Sequence, residues 1–293
     1  GGPLRPVRSL RSQLWGRTFD SPVMLASGTA GFGLELEPMG GLEGVAALVS
    51  KGTTLRPRAG NPPPRVWETE MGLLNSIGLA NPGVHHIVGE VLPRVDSLPC
   101  PVIVNVAGDS EEEFAEVVSL LEGSPVPFGY EVNVSCPNVA RGGMAFGVDP
   151  DSVGRVSKLV RSASSRPFSV KLTPNGGDMV ETALAAEEGG ADAVTVCNTF
   201  LGMRLDWRSG EAVLSRGCGG YTSPALLPLV VAQVHRVAEV VEVPVLASGG
   251  VCSAAGMLEL LAAGAGMVQV GSLLLRRPLA AAELVRQARE LLR

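Results

Sequence analysis

Residues 243–272, VPVLASGGVCSAAGMLELLAAGAGMVQVGS, decide the fold. A short apolar run stops at Gly249-Gly250, a helix-like segment follows over 254–263, and a second apolar run stops at Gly271-Ser272. Continuous apolar runs mark strands buried on both faces, and strands alternating with helices imply a parallel sheet. The same alternation extends back along the chain. Runs of this kind begin at 22 (PVMLAS), 46 (AALVSKG), 101 (PVIVNVAG), 130 (YEVNVSC), 168 (FSVKLTP) and 193 (AVTVCNT). Helix-like stretches occupy 110–121, 149–163, 177–189, 224–240 and 278–292. Eight such units predict a (β/α)8 barrel of the TIM type. A chain of 293 residues suits one barrel, so residues 1–293 are expected to form a single domain. A long loop over 53–83, after the second strand, is expected to lie across the barrel mouth.

Apolar residues make up 45% of the chain and charged residues 18%, which describes a packed globular protein and excludes a disordered one. A net charge of −5 and few aromatics leave no footprint for nucleic acid. No apolar run approaches the roughly 18 residues of a membrane span, and the start of the chain lacks a secretory apolar core, so a cytoplasmic location is expected. Arg5, Arg8, Arg11 and Arg17 make the N-terminus basic and are expected to lie on a solvated tail. The five cysteines, at 100, 136, 197, 218 and 252, form no C-x-x-C and no pairing with histidine, so free thiols and no metal site are expected. His85, His86 and His235 read as structural, and Glu111-Glu112-Glu113 after Ser110 suits the positive end of a helix dipole.

In a barrel the C-terminal ends of all strands face one mouth, where the active site is built. Ser27, Lys51, Asn105, Asn133, Cys136, Lys171, Asn198, Thr199, Gly249, Gly250, Gly271 and Ser272 all stand at strand ends and so converge on one pocket. The Gly249-Gly250 and Gly271-Ser272 turns follow strands seven and eight, the usual phosphate site of a barrel. No G-x-G-x-x-G or G-x-x-x-x-G-K-[ST] occurs, which leaves flavin mononucleotide (FMN) as the natural phosphate-bearing ligand. Lys51 and Lys171 could each neutralise a flavin or a substrate carboxylate, although lysines at strand ends are commonly just solvated. Asparagines inside a barrel must be paired, because a buried unpaired amide costs about 1–3 kcal/mol. Cys136, taken alone, reads as a small hydrophobe closing a strand.

The segments NVSCPNV, GGMAFGVDP, LLNSIGLANPG, VIVNVAG, VKLTP, CNT, ASGG and VGS closely resemble those of the class 1 dihydroorotate dehydrogenases, over nearly the whole chain. The resemblance implies an FMN barrel that oxidises dihydroorotate to orotate in pyrimidine biosynthesis, with Cys136 as the base that removes the substrate proton. It places Lys51, Asn75, Ser76, Ile77, Gly78, Leu79, Asn133, Asn138, Asn198 and Thr199 at the substrate. It places Ser27, Lys51, Gly52, Asn105, Asn133, Lys171, Cys197, Gly220, Gly249, Gly250, Gly271 and Ser272 at the flavin. Cysteine at position 136 and the lack of an N-terminal extension disfavour the membrane-bound class, which carries serine there. CPNVARGGMAFGVDP looks like the NAD-linked class 1B form, which implies a homodimer served by a second subunit carrying FAD and a [2Fe–2S] centre. One departure stands out: Ser223 occupies a position that is glycine in the family's Gly-Leu-Ser-Gly-Pro turn, and a tighter loop is expected there. Three alternatives stay open. A fumarate-linked enzyme would turn over fumarate unaided, another pyrimidine-oxidoreducing flavin barrel would act on uracil, and a non-catalytic barrel would be colourless.

Overall fold

The computed structural model describes residues 4 and 6–293 apart from 136 and 139–143, with the backbone alone at 137, 138, 144 and 145. Eight parallel strands close into a barrel: β1 (Val23–Leu25), β2 (Ala47–Val49), β3 (Val102–Val106), β4 (Pro127–Asn133), β5 (Phe168–Lys171), β6 (Ala193–Val196), β7 (Val245–Ser248) and β8 (Met267–Val270). Each pairs with the next, and β8 returns to β1 through Val268 opposite Val23. Every one of the eight apolar runs read from the sequence supplies a barrel strand.

The helices that wrap the barrel start where the sequence provides caps. Ser110 accepts a hydrogen bond from Glu113 N at the head of α1 (Glu111–Leu121), Asp178 from Val180 N at α3 (Met179–Glu188), and Ser253 from Gly256 N at α5 (Ala254–Ala262). The other long helices are α2 (Pro150–Ala163), α4 (Leu227–Ala238) and α6 (Ala280–Leu291). Residues 84–95, not anticipated as helical, form a helix with a π-helical centre at Ile87–Val91. No helix among the described residues is long and apolar enough to cross a membrane.

Side chains alternate strictly along the barrel strands. Val102, Val104, Tyr130, Val132, Phe168, Val170, Val194 and Val268 join the large outer core under the helices. Met24, Ala47, Val49, Ile103, Ala193, Leu246 and Met267 form a separate apolar layer inside the barrel. The intervening inward positions nearer the C-terminal ends, Asn105, Glu131, Ser169, Lys171, Thr195 and Gln269, are polar and buried.

The N-terminal end of the barrel is plugged by a hairpin of Ser12–Leu14 and Arg17–Phe19. Its two-residue turn, Trp15-Gly16, has positive φ at both residues (50° and 77°), the geometry that matches strand twist. Trp15 Nε1 donates to Asp192 O at 3.2 Å, and its ring packs 5.6 Å from that of Phe128. The basic segment is therefore only partly a solvated tail, since Arg17 belongs to the plug and lies over the Phe19 ring.

The long 53–83 connection is likewise more ordered than a loop. It contributes Val66–Glu68 and Leu73–Asn75 to a four-stranded antiparallel sheet completed by Cys218–Thr222 and Phe200–Met203 from the connection after β6. Both connections leave C-terminal strand ends, so this sheet stands on the mouth side.

Candidate active site

Within the mouth, the barrel's inward polar residues form one network centred on Glu131 of β4. Glu131 is fully buried, and its Oε1 accepts from Asn105 Nδ2 (2.9 Å, β3) and Lys171 Nζ (3.4 Å, β5). Its Oε2 accepts from Gln269 Nε2 (2.6 Å, β8) and Thr195 Oγ1 (3.1 Å, β6). The Lys171 ammonium also reaches Ser27 Oγ at 3.3 Å and Gln269 Oε1 at 3.5 Å. An isolated charge in such a place would cost several kcal/mol, so the ion pair and its ring of donors are what allow either charge to be buried. Ser27, Asn105 and Lys171, three of the expected flavin contacts, are thus brought together. Glu131, Thr195 and Gln269 were not singled out from sequence, although a lone polar residue in an inward strand position, as in YEV and VQV, was a signal available to be read.

Other expected residues line the rim. Lys51 and Gly52 follow β2, and the Lys51 side chain makes no hydrogen bond or ion pair among the described residues. A Cβ on Gly52 would lie 3.3 Å from Asn105 Oδ1 and 3.2 Å from Leu79 Cδ2, so any larger residue would crowd that amide. Ser76, Ile77, Gly78 and Leu79 form a turn in which Leu79 adopts φ 54°, a left-handed backbone costly for a branched side chain. Two asparagines hold it there. Asn61 N donates to Ile77 O and Asn61 Nδ2 to Ser76 Oγ, while Asn81 Nδ2 donates to Leu79 O at 2.7 Å.

Across the mouth, Asn198 Nδ2 donates to Asn133 Oδ1 (3.1 Å), which also accepts from Ser135 N (3.2 Å). Asn198 Oδ1 takes the Thr199 N–H, so both amides are oriented, and Asn133 Nδ2 is left without a partner among the described residues. Asn75 Nδ2 donates to Gly220 O at 3.2 Å, which leaves its Oδ1 as an acceptor. A Cβ at Gly220 would strike Thr199 Oγ1, so the sheet strand can cross Thr199 only as glycine. Ser223 does tighten its turn: its Oγ donates to Met71 O (2.8 Å) and accepts from Ala225 N (3.1 Å), in an extended backbone that has no need of glycine.

Cys197 follows β6 and is buried, which pushes its thiol up to about 12. Gly249 and Gly250 follow β7 with φ of 127° and 73°, and a Cβ at Gly250 would meet Leu227 N at 2.6 Å. Gly271 and Ser272 follow β8, with Gly271 packed on Ala26 beside Ser27. Cys136 lies outside the described residues. Asn138 pairs its backbone strand, Pro137–Asn138, with Met144–Ala145.

A flavin phosphate and ring system suit what is present: two small-residue turns after β7 and β8, a buried ammonium, and an oriented amide at Asn105. Thr53 Oγ1 and Ser135 Oγ, both buried at this mouth, make no hydrogen bond among the described residues.

Fold and site together define a (β/α)8 barrel with a polar ligand-binding mouth. The dihydroorotate dehydrogenase family model matches residues 9–292, and the chain belongs to that family. It is 42% identical over 267 residues to the dihydroorotate dehydrogenase B (NAD(+)) catalytic subunit of Listeria welshimeri, covering 91% of this chain and 88% of that protein. It is 43% identical over 263 residues to the protein of the same description from Geotalea daltonii, covering 90% and 86%. A crystal structure of dihydroorotate dehydrogenase from Eimeria tenella in complex with ferulenol superposes with a TM-score of 0.79 at 21% identity, over 98% of this chain and 85% of that one, a likeness of fold.

Proposed function

We propose that this chain is a single-domain, FMN-bearing catalytic subunit that oxidises dihydroorotate to orotate and delivers the electrons to NAD through a partner subunit. The observation that carries the reading is the pairing, in one mouth, of a buried cationic and amide cradle for a flavin with a second set of oriented amides for a planar ring.

The reaction removes a proton from one ring carbon and a hydride from its neighbour. FMN, when bound, supplies the hydride acceptor. Ser27, Asn105 and Lys171 would hold its ring system, with Gly52 and Gly220 giving it room and the Gly249-Gly250 and Gly271-Ser272 turns at its phosphate. Asn133 and Asn198 are fixed so that spare N–H donors face ring carbonyls, and Asn75 Oδ1 is left to accept from a ring N–H. Lys51, with its unengaged ammonium, answers the substrate carboxylate. The turn at 76–79 covers the substrate, with Leu79 packed against Gly52 excluding water from above. Cys136 takes the proton.

The names of the relatives support a partner subunit, for which an FAD and [2Fe–2S] carrier is the natural form. Exposed apolar side chains on and beside the mouth sheet, including Trp67, Leu201, Met203, Leu205 and Trp207, support a second copy of the chain as a further partner. No helix among the described residues is long and apolar enough to cross a membrane. The test is anaerobic addition of dihydroorotate to the purified chain. Bleaching of bound flavin is expected, with NAD reduction only after the partner is added. A colourless protein, or one bleached by dihydrouracil alone, would overturn the reading. Unaided turnover of fumarate would replace the NAD-linked form with the fumarate-linked one.

A further inference from the structure

We propose that Glu131 is a positioning residue that sets both the place and the electrostatic balance of Lys171 beneath the flavin. The inference rests on the flavin reading above and adds to it a residue that never touches the cofactor.

Four donors from four different strands, Asn105 Nδ2, Lys171 Nζ, Thr195 Oγ1 and Gln269 Nε2, converge on the two carboxylate oxygens of Glu131. Only an ionised carboxylate can accept all four, because a glutamine has one oxygen and would turn its NH2 against two donors. The carboxylate also fixes the Asn105 amide, drawing Nδ2 inward and leaving Oδ1 towards Gly52 and the mouth. Lys171 is held less tightly than the others. Its three polar contacts fall between 3.3 and 3.5 Å, and its side chain is 6% exposed. Its three N–H groups meet three long contacts, weak enough for one to be exchanged for a ligand on the mouth side.

The charged groups packed around Lys171 are few. Among the described residues Glu131 is the one carboxylate in contact, and the Cys197 thiol on the neighbouring strand end feels the ammonium but stays protonated through burial. A reduced flavin gathers negative charge on its pyrimidine ring, so the net charge of the Lys171–Glu131 pair acts directly on the ease of reduction. The protein thereby offers a cation whose pull is moderated by an anion fixed behind it.

The test uses the full chain with its flavin, in Glu131→Gln, Lys171→Met and the double variant, each checked for fold by far-ultraviolet circular dichroism. The readouts are the midpoint potential of the bound flavin and the FMN dissociation constant. Glu131→Gln is expected to move the potential positive, because an anion has been removed, and to weaken FMN binding about tenfold by misorienting Asn105. Lys171→Met is expected to move the potential negative, and the double variant to return towards the unmodified value. A residue serving only to hold the barrel together would not give shifts of opposite sign that cancel. An unchanged or negative shift in Glu131→Gln would overturn the inference. Should that variant not fold, Glu131→Asp keeps the charge but withdraws it by one methylene, and a smaller positive shift is expected; no shift would overturn the proposal. If the unmodified chain binds no flavin, the flavin reading itself fails, a result visible before any variant is made.

Discussion

The two ends of the barrel are built from the same strands to opposite purposes. At the N-terminal end aromatic rings and guanidinium groups are engaged with one another, with carbonyls and with a carboxylate. Trp15, Phe19 and Phe128 pack ring to ring, Arg166 donates to Pro127 O and Ser124 O at 2.7 Å each, and Arg161 pairs with Asp192 at 2.9 Å. At the C-terminal mouth, Lys51 and Asn133 Nδ2 are unengaged and Thr53 Oγ1 is unpaired among the described residues, and Leu79 is held at φ 54°. The lower end spends its residues on stability, and the upper end keeps donors, acceptors and strained backbone for a ligand. That division is the one expected where loops after the strands carry the chemistry.

The comparison can be broken most sharply at Cys136. If the mouth carries the chemistry, Cys136→Ala should slow flavin reduction by dihydroorotate about 10²–10⁴-fold, the usual worth of a general base, while the thermal midpoint barely moves. Stopped-flow bleaching alongside calorimetry decides it, and near-normal bleaching would remove Cys136 from the role. The converse case is Met267, fully buried in the inner apolar layer. Met267→Ala should cost about 2–5 kcal/mol of folding stability in a denaturant titration yet leave the bleaching rate of the folded protein near normal. A large loss of rate without loss of stability would erase the distinction between the ends.

Smaller effects sharpen it. Asn75→Ala removes an acceptor aimed at the substrate and should weaken orotate binding by about 1–3 kcal/mol with FMN affinity unaltered, as read by spectral titration. The mildest test is alkaline. Burial raises the Cys100 thiol, at the lower end, to about 11 and the Cys197 thiol, at the mouth, to about 12, from an ordinary 9.0. Folding favours the protonated form of both, so their contribution is fully present below pH 9 and is lost as pH rises through 11 and then 12. Both declines begin near pH 9, where the unfolded thiols ionise, so Cys100→Ala should remove its share of the fall in denaturation midpoint up to about pH 11 and Cys197→Ala its share up to about pH 12. Identical profiles for both variants would show that the two thiols do not differ in environment.

The barrel was legible because each strand is an unbroken apolar run and three of the long helices carry a side-chain cap, signals contained within a few neighbouring residues. The mouth sheet was not. Its strands are three to five residues long, and Asn75 meets Gly220 from 145 positions away, so no local pattern announces the pairing. The helix at 84–95 was missed for a related reason: Pro93 and the π-helical turn interrupt the helical period. The strand-end residues of the mouth could be read locally and those of the 75–79 turn only through resemblance, whereas Glu131 and Gln269 escaped because a single polar residue in an apolar strand identifies a partner only once the barrel has closed. The Trp15 turn, hidden in a segment that reads as a basic tail, escaped for the same want of a local sign.

The hub at Glu131 also governs when the protein can begin to work. Glu131 waits 40 residues for Lys171, 64 for Thr195 and 138 for Gln269. Such long-range closure is slow to form, and in a growing polypeptide it is impossible until the last barrel strand has left the ribosome. A nascent chain halted before β8 would carry Glu131 without its shortest hydrogen bond and a lysine without one of its three contacts. On the proposed function, cofactor capture therefore waits for barrel closure, and flavin retention by the finished polypeptide would report that the barrel has shut.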